Sequence, residues 1–436
     1  MADEKKIEGV PKGRLGRMAR LAALGLKTGA GAVLARATGN DDGKAVADQA
    51  AEVLGNLRGL AAKVGQMASY VDGLVPESKR DAFEASLRVL RAQAPRSSAA
   101  AVKRVVEDEL GAPLDRLFAS FDDEPIASAS IGQVHRARLH DDVMGGVEVA
   151  VKVQHPGIRK AVESDLANAG ILEGMGAMLG SRRFDSKAHL AIIRERFREE
   201  LDYALEAERL SAFRRLHEGD PTIRVPALVA ERSAASVITT ELVRGRSFEE
   251  AAEADEASRR AWAETLWRFV FKGNLVGGMF NADPHPGNYL FDDEGRITFL
   301  DYGCIQVIPE KKRGYARALH RAALVRDEDD FAERVSLLLD AKPGALEVEA
   351  RAYSRLCFEP LFASPYRITR GYAASLVGAM KTLAMAARKL PDDEIFTMPA
   401  EMLFMNRLQF GFYSVLARLD VEVDYAAVER AFLPDD

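Results

Sequence analysis

The sequence predicts an α+β chain, strand-rich in its middle and helical on both sides. Three observations carry this. Between Phe118 and Val153 the apolar residues change from helical spacing to alternation. From Tyr289 to Gly303 a short strand, a turn at Asp293-Glu294-Gly295 and a second strand are legible. After Gly303 nearly the whole chain carries a helical pattern. A length of 436 residues leaves room for two or three lobes with proper cores.

Composition narrows the function. A hydrophobic content of 47% beside 29% charged residues is that of an ordinary globular protein. A formal charge of −6 argues against nucleic acid as an electrostatic partner. The two cysteines, Cys304 and Cys357, allow one bridge at most, which fits a reducing compartment. The seven histidines form no metal-ligand cluster, so no structural zinc is expected. The opening residues resemble neither a secretory signal nor a transit peptide, and no run of ~18 charge-free apolar residues is present. The expected location is the cytoplasm, with a peripheral contact at the inner membrane as a further option.

Residues 13–37 place Arg14, Arg17 and Arg20 on one helical stripe among leucines. A peripheral membrane helix and a helix packed on the body both fit; the Gly29-Ala-Gly-Ala run and the absence of aromatics favour packing. A loop at 38–45 precedes a helix reaching about Tyr70. Lys63 and Gln66 share one face of it, and Gly65 between them marks a close backbone approach. A helix from Pro76 ends before Pro95. Ser97 or Ser98 caps the next, which Gly111 and Pro113 terminate.

The segment Ile126 to Leu139 reads as strand, small-residue loop and strand, with Ala127-Ser128-Ala129-Ser130 in the loop. A turn at Gly145-Gly146 leads to a strand ending Val149-Ala-Val-Lys152, close to the Val-Ala-Ile-Lys of nucleotide-binding lobes. A lysine on a buried strand needs a carboxylate partner. The helix expected over 191–216 supplies candidates in Glu199, Glu200, Asp202 and Glu206; Asp202 and Glu206 share a face, and Glu206 is chosen as the partner of Lys152. The strand Ser236–Val243, with Glu241 and Val243 at its end before Arg244-Gly245, fits a hinge whose backbone reads an adenine; a plain strand edge fits as well. A helix over 256–280 turns Trp262, Leu266, Phe269 and Val270 to the core and leads into Asn281-Ala-Asp-Pro-His-Pro-Gly-Asn288.

Asp283, Asn288 and Asp301 carry the chemistry. An aspartate in a loop, an asparagine five residues on, and an Asp-aromatic-Gly after a hairpin form the layout of a phosphoryl-transfer centre. Asp283 would position the acceptor, while Asn288 and Asp301 would hold Mg2+ on the phosphates of ATP. Ile308-Pro309-Glu310 follows Asp301 too closely to close a peptide-binding activation segment and is read as a helix start. Helices are expected at 309–325, 328–340, 346–361, 371–389, 398–418 and 424–433.

Together these residues resemble the UbiB/AarF/ADCK family of atypical kinases, from roughly Leu57 to Val307. The resemblance rests on Lys63-Val-Gly65-Gln66, the loop Ala127-Ser128-Ala129-Ser130-Ile-Gly-Gln-Val-His, Glu200-Leu-Asp202 with Glu206, and Asp283-Pro-His-Pro-Gly-Asn288 followed by Asp301-Tyr-Gly. It implies a bilobal protein-kinase-like fold: a helical extension over 1–95 whose Lys63 helix lies across the site, an N-lobe over 96–243 and a C-lobe over 244–436. It also implies ATP and Mg2+ as cofactors, a phenolic or isoprenoid lipid as partner, and a role in ubiquinone or related lipid metabolism. Activity would be that of an atypical kinase or ATPase and not of a conventional protein kinase. Lys63, Gly65, Gln66, Glu200 and Asp202 would occlude or regulate the acceptor side. The alternative is a nucleotide-sensing pseudokinase scaffold for a membrane-associated biosynthetic complex. Asn281 stands where the family usually has His, and Tyr302 where the metal-binding triplet usually has Phe.

Overall fold

The computed structural model describes residues 97–128, 131–166, 195, 197–339, 343–388 and 400–433. The chain divides into two compact units, residues 1–146 with 150–186 and residues 147–149 with 187–436.

In the first unit, helix α1 (Ala99–Leu110) starts at Ser98, whose hydroxyl accepts from Ala101 N–H, and ends at Gly111 with φ +70°. A one-turn helix α2 (Leu114–Leu117) follows. Strands β1 (Ser120–Ser128) and β2 (Gly132–Arg138) pair antiparallel, and β3 (Glu148–Gln154) lies beside β2. Val149, Val151 and Val153 are fully buried, which turns Glu148, Ala150 and Lys152 to the opposite, half-buried face. Ser97 does not cap α1. Its N–H donates to Gln133 Oε1 at 2.9 Å and its hydroxyl meets His155 Nδ1 at 2.9 Å. Gln133 Nε2 donates to His135 Nε2 at 2.7 Å, so His135 carries its proton on Nδ1 and gives it to Asp122 O at 2.8 Å. Burial holds the His135 pKa below its usual value, consistent with this neutral tautomer. The Gln133-Val-His135 part of the small-residue motif is therefore buried, with Gln133 and His135 hydrogen-bonded to each other. Helix α3 (Ile158–Leu166) follows β3.

In the second unit the helix expected over 191–216 is interrupted. Asp202 adopts an extended conformation and accepts from Ala204 N–H and Leu205 N–H, so it is the N-cap of α4 (Tyr203–Leu216). Strands β4 (Ile223–Arg224) and β5 (Val237–Glu241) lead to α5 (Phe248–Ala252) and α6 (Glu256–Lys272). Trp262, Leu266, Phe269 and Val270 of α6 are buried as expected. The helix does not run to 280. Its last carbonyls meet a π turn at Gly273–Gly277, and the chain reverses at Gly278 with φ +66°, a backbone conformation glycine adopts without strain. Arg313 and Arg317 cap this end by donating to Val276 O at 3.0 Å and Leu275 O at 2.6 Å.

Beyond this reversal lie β6 (Met279–Asn281), β7 (Tyr289–Phe291), β8 (Ile297–Phe299) and β9 (Ile305–Val307), the last not anticipated from sequence. β6 pairs with β9, β7 with β8, and β4 lies parallel to β8. The remaining elements are α7 (Glu310–Val325), α8 (Glu328–Leu339), α9 (Ala345–Cys357), α10 (Glu359–Phe362), β10 (Tyr366–Arg367), α11 (Arg370–Arg388), α12 (Ala400–Leu419), β11 (Glu422–Val423) and α13 (Tyr425–Arg430). The predicted helix 346–361 is thus two, parted at Phe358 before Pro360, which cannot continue a hydrogen-bonded turn. Fold content is mixed helix and strand, the α+β class expected.

One core joins α6 to the helices that follow the site. Trp267 Nε1–H and His320 Nδ1 both meet the fully buried Glu429 carboxylate, at 2.9 and 2.8 Å. Phe269 stacks on Phe299 at 3.5 Å, and Trp262 meets Phe291 edge-on at 5.2 Å. The aromatic face of α6 therefore seats the β7–β8 hairpin on a rigid support.

Candidate active site

Two antiparallel ladders build the site. In the first, Asn281 of β6 opposes Ile305 of β9, and Ala282 N–H donates to Cys304 O at 2.8 Å. In the second, Tyr289 of β7 opposes Phe299 of β8, and Leu300 N–H donates to Asn288 O at 3.0 Å. The loop 282–288 and the turn 300–304 are consequently held at both ends against each other. Residues far apart in sequence become neighbours because strand pairing leaves them no other register.

Asn281 locks the two segments together. Its Nδ2 donates to Asp301 O at 2.7 Å, and its Oδ1 accepts from Asp283 N–H at 2.9 Å. Asn288 Nδ2 donates to Asp283 O at 3.2 Å, which leaves its Oδ1 as the side-chain atom that could meet a cation. Asp301 Oδ1 accepts from Gly303 N–H at 2.8 Å. Asp283 is 8% exposed, so its carboxylate is largely sheltered from water. Behind the loop, a methyl group on Gly411 of α12 would fall 2.7 Å from Pro284 Cγ. Only glycine lets that helix support the loop so closely.

Tyr302 fills the place of the usual Phe without a buried unmet hydroxyl, because its Oη donates to Phe299 O at 3.1 Å. Full burial and the neighbouring Asp301 charge push its pKa well above the tyrosine range, so the hydroxyl remains a donor. Its ring packs on Phe213 of α4 at 5.3 Å. That helix brings the buried Glu206 to the site. A methyl group at Gly303 would sit 3.3 Å from Asp301 Oδ1 and 3.6 Å from Glu206 Oε2, so both carboxylates border the same small space.

Lys152 is half-buried on β3 of the first unit. Ala127 and Ser128 close β1, opposite Val134 and Gln133. Ala129, Ser130, Lys63, Gly65 and Gln66 lie outside the described residues. Glu241 pairs with Arg224 at 2.5 Å, and its N–H is taken by Ala227 O at 2.8 Å. Leu242 N–H is taken by Glu148 O at 3.0 Å, and Val243 is the next residue along the chain. Glu200 is half-buried just ahead of the cap residue Asp202.

Sequence reading overlooked two residues. Arg209 donates from Nη1 to Gly303 O at 3.0 Å; its position one turn beyond Glu206 was the available signal. Gly411 had none, since its partner Pro284 lies more than a hundred residues away.

The donor set fits a hard divalent cation. Asn288 and Asp301 offer oxygen ligands only, and a second carboxylate borders the same space. No group of three or more His, Cys, Asp or Glu side chains suited to a metal occurs among the described residues. Mg2+ needs none, because it is held by one or two protein ligands together with substrate phosphates and water.

Fold and site together define a protein-kinase-like chain in which a single asparagine, Asn281, clasps the Asp283 loop to the Asp301 turn. Residues 89–335 match the ABC1 atypical kinase-like domain, and the chain belongs to that family, whose named members include COQ8 and AarF-domain proteins. It is 35% identical over 313 residues to the uncharacterized protein Rv0647c of Mycobacterium tuberculosis (strain ATCC 25618 / H37Rv), covering 70% of this chain and 61% of that protein. It is 30% identical over 341 residues to the mitochondrial atypical kinase COQ8B of Danio rerio, covering 74% of this chain and 53% of that protein. The chain thus spans between half and two thirds of the length of these curated relatives. Among solved structures, the complex of Rv3197 with erythromycin from Mycobacterium tuberculosis matches with a TM-score of 0.60 and 26% identity, over 96% of this chain and 98% of that one.

Proposed function

We propose that this chain binds ATP with Mg2+ and acts as an atypical kinase or ATPase supporting ubiquinone or isoprenoid-lipid metabolism, and not as a conventional protein kinase. The observation that carries the reading is the clasp of Asn281 on Asp283 and Asp301, with Asn288 tied to the same loop. Bound Mg2+ would neutralise charge on the β- and γ-phosphates. Asn288 Oδ1 and the Asp301 carboxylate would hold it. Lys152, with Glu206 as its carboxylate, would orient the phosphates. Asp283 would position an acceptor hydroxyl or water and take its proton. The backbone at Val243 would read the adenine, and residues 127–130 would cover the phosphates. Loop residues bearing Cβ atoms cannot lie as close to phosphates as glycines can, which disfavours ordinary protein-kinase turnover.

The acceptor is proposed from kinship with COQ8-named relatives, and a phenolic or isoprenoid lipid is the class to test. No helix among the described residues is long and apolar enough to cross a membrane. The test is ATP turnover by wild type and Asp283→Asn, with and without Mg2+, phenolic lipid mimics and liposomes. Turnover that requires Mg2+, rises with the lipid mimic and collapses in Asp283→Asn supports the reading. Equal residual turnover in both proteins, with nucleotide binding intact, would instead support a nucleotide-sensing scaffold. Rapid phosphorylation of generic proteins would overturn both.

A further inference from the structure

Arg209 of α4 is a poorly exposed cation with two fixed partners. Its side chain is only 12% exposed, and that of its partner Glu199 is 20% exposed. Nη2 donates to Glu199 Oε2 at 2.7 Å, while Nη1 donates to Gly303 O at 3.0 Å. A single planar group therefore joins the segment ahead of the Asp202 cap, helix α4 and the turn that carries Asp301. Gly303 faces both ways in this arrangement. Its carbonyl is held by Arg209, and its N–H holds Asp301 Oδ1 at 2.8 Å. Arg209 and the Asp301 carboxylate are thus linked through a single residue, Gly303.

The chemistry of the fork explains why arginine stands here. Guanidinium presents several N–H donors in a rigid plane, so it can meet a carboxylate and a carbonyl at once. A lysine at the same place has a compact charge on a flexible stem and would reach one acceptor well and the other poorly. Glu199 compensates the charge where solvent cannot, which allows the guanidinium to be withdrawn from water. Helix α4 also carries Glu206, whose carboxylate borders the same space as Asp301. The clamp accordingly acts on the spacing of the two carboxylates.

We infer that Arg209, held by Glu199, is a positioning residue for Asp301: it fixes the Asp301–Gly303 turn to helix α4 and so sets the magnesium requirement for nucleotide binding. This rests on the reading of Asp301 as a magnesium ligand. Groups that orient a metal ligand commonly alter metal affinity by about 10- to 100-fold when removed.

The experiment titrates Mg2+ against ATP binding by the full chain, for wild type, Arg209→Met, Arg209→Lys, Glu199→Gln and Asp301→Asn, with thermal unfolding of each. Arg209→Met is expected to raise the Mg2+ concentration for half-maximal binding by about tenfold. Arg209→Lys should fall between it and wild type, and Glu199→Gln, which keeps an acceptor oxygen, should shift least. A purely structural role would lower the unfolding temperature and leave the Mg2+ requirement alone. If Arg209→Met does not fold, Arg209→Lys carries the test. A wild-type Mg2+ requirement in the folded Arg209 variants, while Asp301→Asn raises it, overturns the clamp alone. A wild-type requirement in Asp301→Asn overturns the magnesium reading and the clamp with it.

Discussion

Replacing Asn281 with alanine removes both halves of the bridge between the Asp283 loop and the Asp301 turn. Two hydrogen bonds are lost, at 2.7 and 2.9 Å, and both partners are backbone groups, the Asp301 carbonyl and the Asp283 N–H. Each such bond contributes about 0.5–1.5 kcal/mol net, and more if the partner stays buried and unmet. Asn281 is half-buried, so water can take part of the role, and the expected loss is about 2 kcal/mol. For a large domain that corresponds to a fall in Tm of roughly 4–8 °C. The effect on chemistry should be larger, because a displacement of about 1 Å at a reacting group can reduce rate by about 100-fold. Thermal unfolding and ATP turnover at saturating Mg2+ read the two effects separately. Asn281→His gives the sharper comparison. Neutral imidazole, like the amide, has one donor and one acceptor, whereas imidazolium has two donors and cannot accept from Asp283 N–H. With an ordinary pKa of about 6.5, the variant should keep turnover at about pH 8 and lose it below about pH 6.5 relative to wild type. An Asn281→Ala protein with wild-type Tm and wild-type turnover would refute the clasp.

Two further expectations concern stability. His217 is buried at 3% exposure and stacks on Phe269, and burial and then Lys272 lower its pKa to about 3. Between that value and about 6.5 the unfolded chain binds the extra proton, so the contribution is full above about pH 6.5 and is lost as pH falls. From pH 6.5 to pH 4 this is roughly 3 kcal/mol, and His217→Leu should flatten the acid limb of denaturant stability; an unchanged limb would count against it. Gly411→Ala should destabilise by about 1–3 kcal/mol and lower turnover, because its Cβ would press on Pro284, whereas Gly314→Ala in α7, with open space around it, should stabilise by about 0.5–1 kcal/mol; equal melting shifts of the two would show that the Pro284 contact does not matter.

Most of the element order was legible in the sequence. The change of period at Phe118, the Asp-Glu-Gly turn and the long amphipathic stretches after Gly303 are local signals, written in residue spacing. The breaks were harder. Asp202 looked like one more acid in a helical run, yet its side chain caps α4 because two amides needed an acceptor. The cluster Gly273, Gly277 and Gly278 allowed an early helix end but did not demand it. That choice was made by β9, whose three residues carry too little pattern to be seen alone and act only when β6 is alongside.

By itself the sequence determined the identity and order of the chemical groups: Asp283, Asn288 and Asp301 at spacings set by a loop and a hairpin, with Glu206 on the helix before them. Such information is covalent or short-range, so it survives without coordinates. Only the tertiary structure decided how those groups are held. Asn281 reaches twenty residues to Asp301, Arg209 reaches ninety-four to Gly303, and Gly411 meets a proline of the loop from outside the matched domain. These contacts depend on strand register and helix packing, which place atoms to within an ångström and leave no local trace in composition or spacing.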